Sequence, residues 1–244
     1  MRTENGEWIM QGKALDDAKR IRTYKALIKH IKKVGFLPLF ANSVEGFSVE
    51  EMTSPLYWWS GDEKNDPWEW RLLISRSQEV AYGKFFDKKA GFISLDWLPY
   101  FANWRRDGYD FDALWDDQKA KRRMKLIMDF FPGEKPEKEA YYSFELKEKA
   151  GFGKGGEKNF DGILTELQMM TYLVDKDFGR KKNKKGQEYG WSIAMLATPE
   201  SIWGPELVRS AYKENPEISG QRIFDQVKKM YPKATVEQIR KILK

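Results

Sequence analysis

Residues 141–198 read YYSFELKEKAGFGKGGEKNFDGILTELQMMTYLVDKDFGRKKNKKGQEYGWSIAMLAT, and the order of elements they spell decides the fold. A short amphipathic segment, Ser143 to Ala150, runs into the glycine-rich break Gly151 to Gly156. Asn159 stands where its side-chain oxygen can cap a following helix. In that helix Phe160, Ile163, Leu164, Leu167 and Met170 recur at the three-and-four spacing of one buried face. The opposite face carries Thr165, Gln168, Met169 and Tyr172, side chains able to touch a groove. Two strand-like runs follow, Tyr172 to Phe178 and Glu188 to Ala197, joined by a strongly basic tip.

The tip is the sharpest signal. Arg180, Lys181, Lys182, Lys184 and Lys185 repel one another and gain nothing by folding together, so an anion is their natural partner. Asn183, with Gly179 and Gly186 on either side, suits a turn that needs positive φ. Against a phosphate backbone such a tip releases counterions and binds in a salt-dependent way; the bland alternative is a solvated loop. Helix, break, helix and basic hairpin together form the order of a winged helix, and the expected partner is double-stranded DNA. A weaker echo lies upstream, where the strand-like runs Gln78 to Phe86 and Gly91 to Ser94 flank the turn Asp87 to Ala90. The expected fold class is therefore α+β, mainly helical, with tandem winged-helix modules, each a helix-turn-helix plus β-hairpin.

Composition bounds the rest. A chain of 244 residues suits one large domain or a few small ones. The expected division is an N-terminal winged-helix-like domain with a helical extension at 1–131, a linker at 132–140 around PGEKPEKE, a winged helix at 141–204 and a helical piece at 205–244. The net charge of +6 fits an anionic partner, with the basic character concentrated locally. There is no cysteine and one histidine, His30, which excludes thiolate chemistry, histidine metal clusters and a serine triad. No metal or cofactor is expected. GFGKGG at 151–156 lacks the Gly-Lys-Ser/Thr ending of a phosphate loop, so no nucleotide cofactor is expected either. No apolar signal segment or membrane-length apolar run is present, and the expected location is cytoplasmic. Nothing in the sequence fixes the oligomeric state.

Upstream, Lys13 to Val34 reads as a helix stopped by Gly35, with His30 a surface group beside its lysines. Pro38 keeps the run Phe36 to Phe40 out of a central strand. Tyr57, Trp58, Trp59, Trp68 and Trp70 then gather among Asp62, Glu63, Asp66 and Glu69. One reading makes Trp58, Trp59 and Trp68 base-stacking faces, with Asp66 or Glu69 as a carboxylate for catalysis. The other makes the tryptophans core and lets Asp66-Pro67 start a helix. Leu95 to Asn103 and Asp110 to Phe131 read as helices, as do Pro205 to Lys213, Ser219 to Met230 and Thr235 to Leu243. The last pair is either another helix-turn-helix or part of a three-helix cap.

DPWEWRLL (Asp66 to Leu73), EVAYGKFFDKKAGFIS (Glu79 to Ser94) and FDGILTELQMMTYLVDKDF (Phe160 to Phe178) carry a resemblance. So does the basic hairpin followed by EYGW and ATPE. The chain resembles the AlkZ-like (YcaQ-type) DNA glycosylase superfamily, and more closely its AlkZ-related set. The resemblance implies a DNA-binding cradle in which a hairpin touches the duplex. It also implies a glutamine, a spacer and an aspartate or glutamine that handle the catalytic water. In the run that matches, Val34 to Val44, those two places hold Pro38 and Phe40, neither of which accepts a proton. The expected function is DNA binding without that catalytic pair. An active glycosylase for alkylated or cross-linked bases and a protein-interaction scaffold are the alternatives.

Overall fold

Thr23 sets the first helix: its hydroxyl accepts from the Ala26 amide at 3.1 Å, and α1 (Tyr24–Val34) follows. The expected start at Lys13 is too early. Residues 13–22 are tied down by tertiary hydrogen bonds, Lys13 N–H to Thr53 O at 2.8 Å and Ile21 N–H to Met52 O at 2.9 Å. Those contacts take amides that a helix would need. Gly35 ends α1 with φ +98°, and a Cβ there would lie 2.7 Å from Trp97 Nε1, so both backbone and packing demand glycine.

The computed structural model describes residues 2–4, 7–133, 139–182, 185–186 and 188–244. The lead-in pairs β1 (Arg2–Glu4) with β2 (Glu7–Ile9). After α1 come β3 (Phe36–Pro38), α2 (Val49–Met52), α3 (Pro67–Ser77), β4 (Val80–Phe86) and β5 (Lys89–Ser94). The three strands form an antiparallel sheet ordered β3-β5-β4, which leaves β3 at an edge and makes Pro38 tolerable. Next are α4 (Leu98–Arg106), α5 (Phe111–Asp116), α6 (Arg122–Met128), β6 (Tyr141–Tyr142) and α7 (Ser143–Lys149). Then α8 (Phe160–Met169), β7 (Val174–Lys182) and β8 (Glu188–Ala197) complete a second antiparallel sheet, ordered β6-β8-β7. The order helix, strand, helix, helix, strand, strand thus occurs twice, with the same strand order each time. The chain closes with α9 (Pro199–Trp203), α10 (Pro205–Val208), α11 (Pro216–Met230) and α12 (Val236–Leu243). The fold is mixed α and β, chiefly helical, with small antiparallel sheets.

The helix expected over Asp110 to Phe131 is two helices. Asp110 caps α5 through the Ala113 amide, and the chain breaks before α6 where Gln118 takes φ +58°. The apolar period runs across the break, which is why the spacing reads as one helix.

Two apolar cores result. Leu27, Ile31, Phe36, Phe47, Trp70, Phe86 and Phe101 belong to the first, which also takes Ile223, Val227, Ile239 and Ile242 from α11 and α12. α11 lies so close on α4 that a Cβ at Gly220 would sit 2.6 Å from Trp104 Nε1. Phe111, Ile127, Tyr141, Leu146, Phe160, Leu167 and Leu196 build the second. β7 gives Val174 and Phe178 to the first core while its partner β8 gives Leu196 to the second, so this hairpin forms the partition between them. His30 is half-buried rather than fully at the surface: its Nε2 is buried without a hydrogen-bond partner, and desolvation, then Lys33, hold its pKa below the usual value.

Candidate nucleic-acid interface

The β7–β8 hairpin is the longest among the described residues, and it is bent. Its register shifts between Asp175 and Asp177 and again between Gly179 and Lys181, where Gly190 on the facing strand has φ +78°. Such bulges increase twist and aim a hairpin away from its sheet. Arg180 and Lys185 are exposed on it. For Lys181 and Lys182 the backbone is placed in β7, paired with Tyr189 and Glu188, and Lys184 lies outside the described residues, as does Asn183.

α8 does not present the face that its spacing implies. Gln168 is buried: its Nε2 donates to Asp175 Oδ1 at 2.6 Å, and its Oε1 accepts from the Lys84 amide of β4 at 3.3 Å. Thr165 Oγ1 accepts from Lys84 Nζ at 3.1 Å and donates to Asp161 O at 2.7 Å. Met169 Sδ accepts from the Lys88 amide, and Tyr172 is buried. The face read as open to a groove is therefore covered by β4 and the turn after it, because the two repeated units pack against each other there. Asn159 is exposed at the N-cap of α8, yet its side chain makes no cap; it takes φ +67° instead. Lys154 and Lys158 are exposed beside it.

The aromatic cluster divides by role. Trp58 is buried and donates from Nε1 to Thr53 Oγ1 at 2.9 Å, so it is core. The half-buried Trp68 carries the Arg71 guanidinium over its ring at 3.7 Å. Trp59 is 44% exposed. Asp66 is fully buried and accepts from the amides of Trp59, Gly61 and Trp68 at 3.1, 3.0 and 2.8 Å. A carboxylate so occupied holds a loop and caps α3; it is not presented to solvent as a base. Glu69 sits half-buried in the first turn of the same helix.

Between these parts lies a polar junction that spacing did not reveal. Arg71 reaches from α3 to β8, donating from Nη2 to Ser192 Oγ at 3.1 Å, and its guanidinium also faces the Phe178 ring at 4.5 Å. Its Nε is buried without a partner. Asp175 stands within the electrostatic reach of Arg71 and Lys84. Desolvation pushes its carboxyl up to about 7, although Gln168, Arg71 and Lys84 all favour the charged form. The available signal was an acid directly after the apolar run Tyr172-Leu173-Val174, and an arginine among the apolar residues of α3. Neither says what it meets.

The architecture thus joins small antiparallel sheets, a bulged basic hairpin and an aromatic loop around a buried aspartate. The chain belongs to the AlkZ-related family, whose pattern matches residues 21–244. No curated protein and no solved structure matches it. Among the described residues no helix is long and apolar enough to cross a membrane.

Proposed function

We propose that the protein binds double-stranded DNA through two packed winged helices, and that it does so without the catalytic pair of the DNA glycosylases its family is related to. The repeated element order and the shared strand order support the winged-helix reading. In it α3 and α8 are the helices that usually read a groove. Because β4 covers α8, the contact falls instead to the hairpin and to exposed groups at the start of α8. Arg180, Lys181, Lys182, Lys184 and Lys185 hold phosphates, with Lys158 and Asn159 as a second contact. Thr165 and Gln168 have structural work at the junction.

The cationic hairpin tip is the single observation that carries this reading. A tip of this charge binding phosphates makes affinity fall steeply with salt. Binding of a labelled duplex, followed by fluorescence anisotropy across a salt series, tests it. The reading requires a log–log slope of several units; affinity independent of salt removes the phosphate contacts from the account. At the positions matching the family's catalytic pair, Pro38 lies in β3 and Phe40 beside Trp58 and Trp68, with ring centroids 5.7 and 6.3 Å away. With Asp66 held by three amides, base release through these groups is not part of the proposal.

A further inference from the structure

The outward face of α1 carries charge of one sign. Lys25, Lys29, Lys32 and Lys33 are exposed on it, opposite the buried Leu27, Ile28, Ile31 and Val34, and the helix contains no acid. Helix stability accounts for only part of this pattern. Lys32 and Lys33 stand in the last turn, where the helix dipole favours cations, and Lys32 pairs with Glu79 at 2.6 Å. Lys25 stands in the first turn, the wrong end for a cation. Lys25 with Lys29, and Lys29 with Lys33, are like charges four residues apart, which weakens a helix.

Elsewhere the chain neutralises such groups. Around α6, Arg122 and Arg123 share Glu157, Lys125 pairs with Asp129, and Lys121 pairs with Glu166. Lys25, Lys29 and Lys33 form no ion pair among the described residues. Their backbone is nonetheless held at both ends, by the Thr23 cap and by Gln226 of α11, whose Nε2 donates to Val34 O at 2.8 Å.

The basic face adjoins the hairpin across the end of α3. Glu79, the partner of Lys32, follows that helix directly, and Arg76 in its last turn pairs with Asp177 of β7 at 3.1 Å. Both pairs lie at the surface, and beyond Asp177 the strand continues to the exposed Arg180 and the tip. Lys25 to Lys33 extends ~12 Å along the helix axis. One strand of duplex DNA places a phosphate every ~3.4 Å of axis, so the face spans about three of them.

We infer that α1 is a second phosphate-binding surface, and that a duplex held by the hairpin continues across the end of α3 onto Lys25, Lys29 and Lys33. The inference rests on the DNA-binding reading above. Charge complementarity and continuity with the hairpin select this partner, and the contact positions the duplex by its backbone without reading its bases.

The test uses the full chain and a labelled duplex long enough to span both surfaces, with anisotropy followed across a salt series. Lys25, Lys29 and Lys33 are changed together to glutamine. A control of equal charge changes Lys147, Lys213 and Lys241, exposed lysines on other elements, in the same way. The α1 variant is expected to lose about tenfold in affinity at low salt, and its log–log salt slope should fall by about 0.9 for each lost contact, ~2 to 3 units in all. The control should keep the native slope. The unfolding midpoint of the α1 variant should not drop, because only like-charge pairs are removed. A slope in the α1 variant equal to that of the control overturns the inference and leaves the hairpin reading in place. Absent or salt-independent binding by the native chain overturns both.

Discussion

Gln168 Nε2 donates a 2.6 Å hydrogen bond to Asp175 Oδ1, and the same Gln168 side chain accepts from the Lys84 backbone of β4. One amide group therefore ties α8 to β7 and the second repeated unit to the first. It does this beside the half-buried Asp175 carboxyl, which faces Arg71, Lys84 and Tyr82.

The raised pKa of Asp175 makes the junction pH-dependent. Its folded value of about 7 lies above the ordinary 3.8, so the folded state binds this proton more tightly than the unfolded chain does. The stability contributed is full below about pH 4 and is lost as pH rises through 7. Asp175→Asn mimics the protonated form. Urea unfolding from pH 5 to 8 should show the native chain losing stability relative to this variant as pH rises. A constant difference between the two across that range refutes the assignment.

Arg106 supports a second prediction. It is 1% exposed, pairs with Glu200, and donates to Thr171 O at 2.7 Å and Tyr212 Oη at 3.2 Å. The pair lines a cavity of about 610 Å³ that also takes in Phe111, Phe131, Tyr172 and Arg209. Glu200→Gln leaves a buried guanidinium without its counter-charge, at a cost of about 3 kcal/mol. Chemical denaturation measures this. Replacing Arg106 by methionine in the Glu200→Gln background should recover part of the loss, since the uncompensated charge is gone.

Asp66 is assigned to architecture. Asp66→Ala removes acceptors from three backbone amides and should cost on the order of 2 kcal/mol in unfolding free energy. It should also release the loop at Trp59 without changing the salt slope for intact duplex. Full stability in this variant contradicts the assignment.

Much of the architecture was legible because it rests on local rules. The β8 strand falls over Glu188–Ala197 as its residues suggest, and the Ser48 cap with Glu51 opens α2. What failed depends on partners distant in sequence. Spacing places Thr165 and Gln168 on one face of α8, but only tertiary packing brings β4 against it. Adjacent Trp58 and Trp59 look equivalent in sequence, and the Asp66 hydrogen bonds separate them into a core residue and an exposed one. A helix continuing from Lys13 into α1 is locally plausible and loses to hydrogen bonds with Met52 and Thr53. The pairing of α11 with α4 through Gly220 leaves no trace in either helix alone.

The central claim is that the hairpin tip holds DNA. The most direct measurement compares the native chain with a variant in which Lys181, Lys182, Lys184 and Lys185 are changed to glutamate, by anisotropy on an intact duplex at low and at moderate salt. The account predicts salt-sensitive binding by the native chain and a loss of at least a hundredfold in the variant, with unfolding midpoints of the two alike. Equal affinity of the two proteins, or no binding by the native chain at low salt, contradicts it.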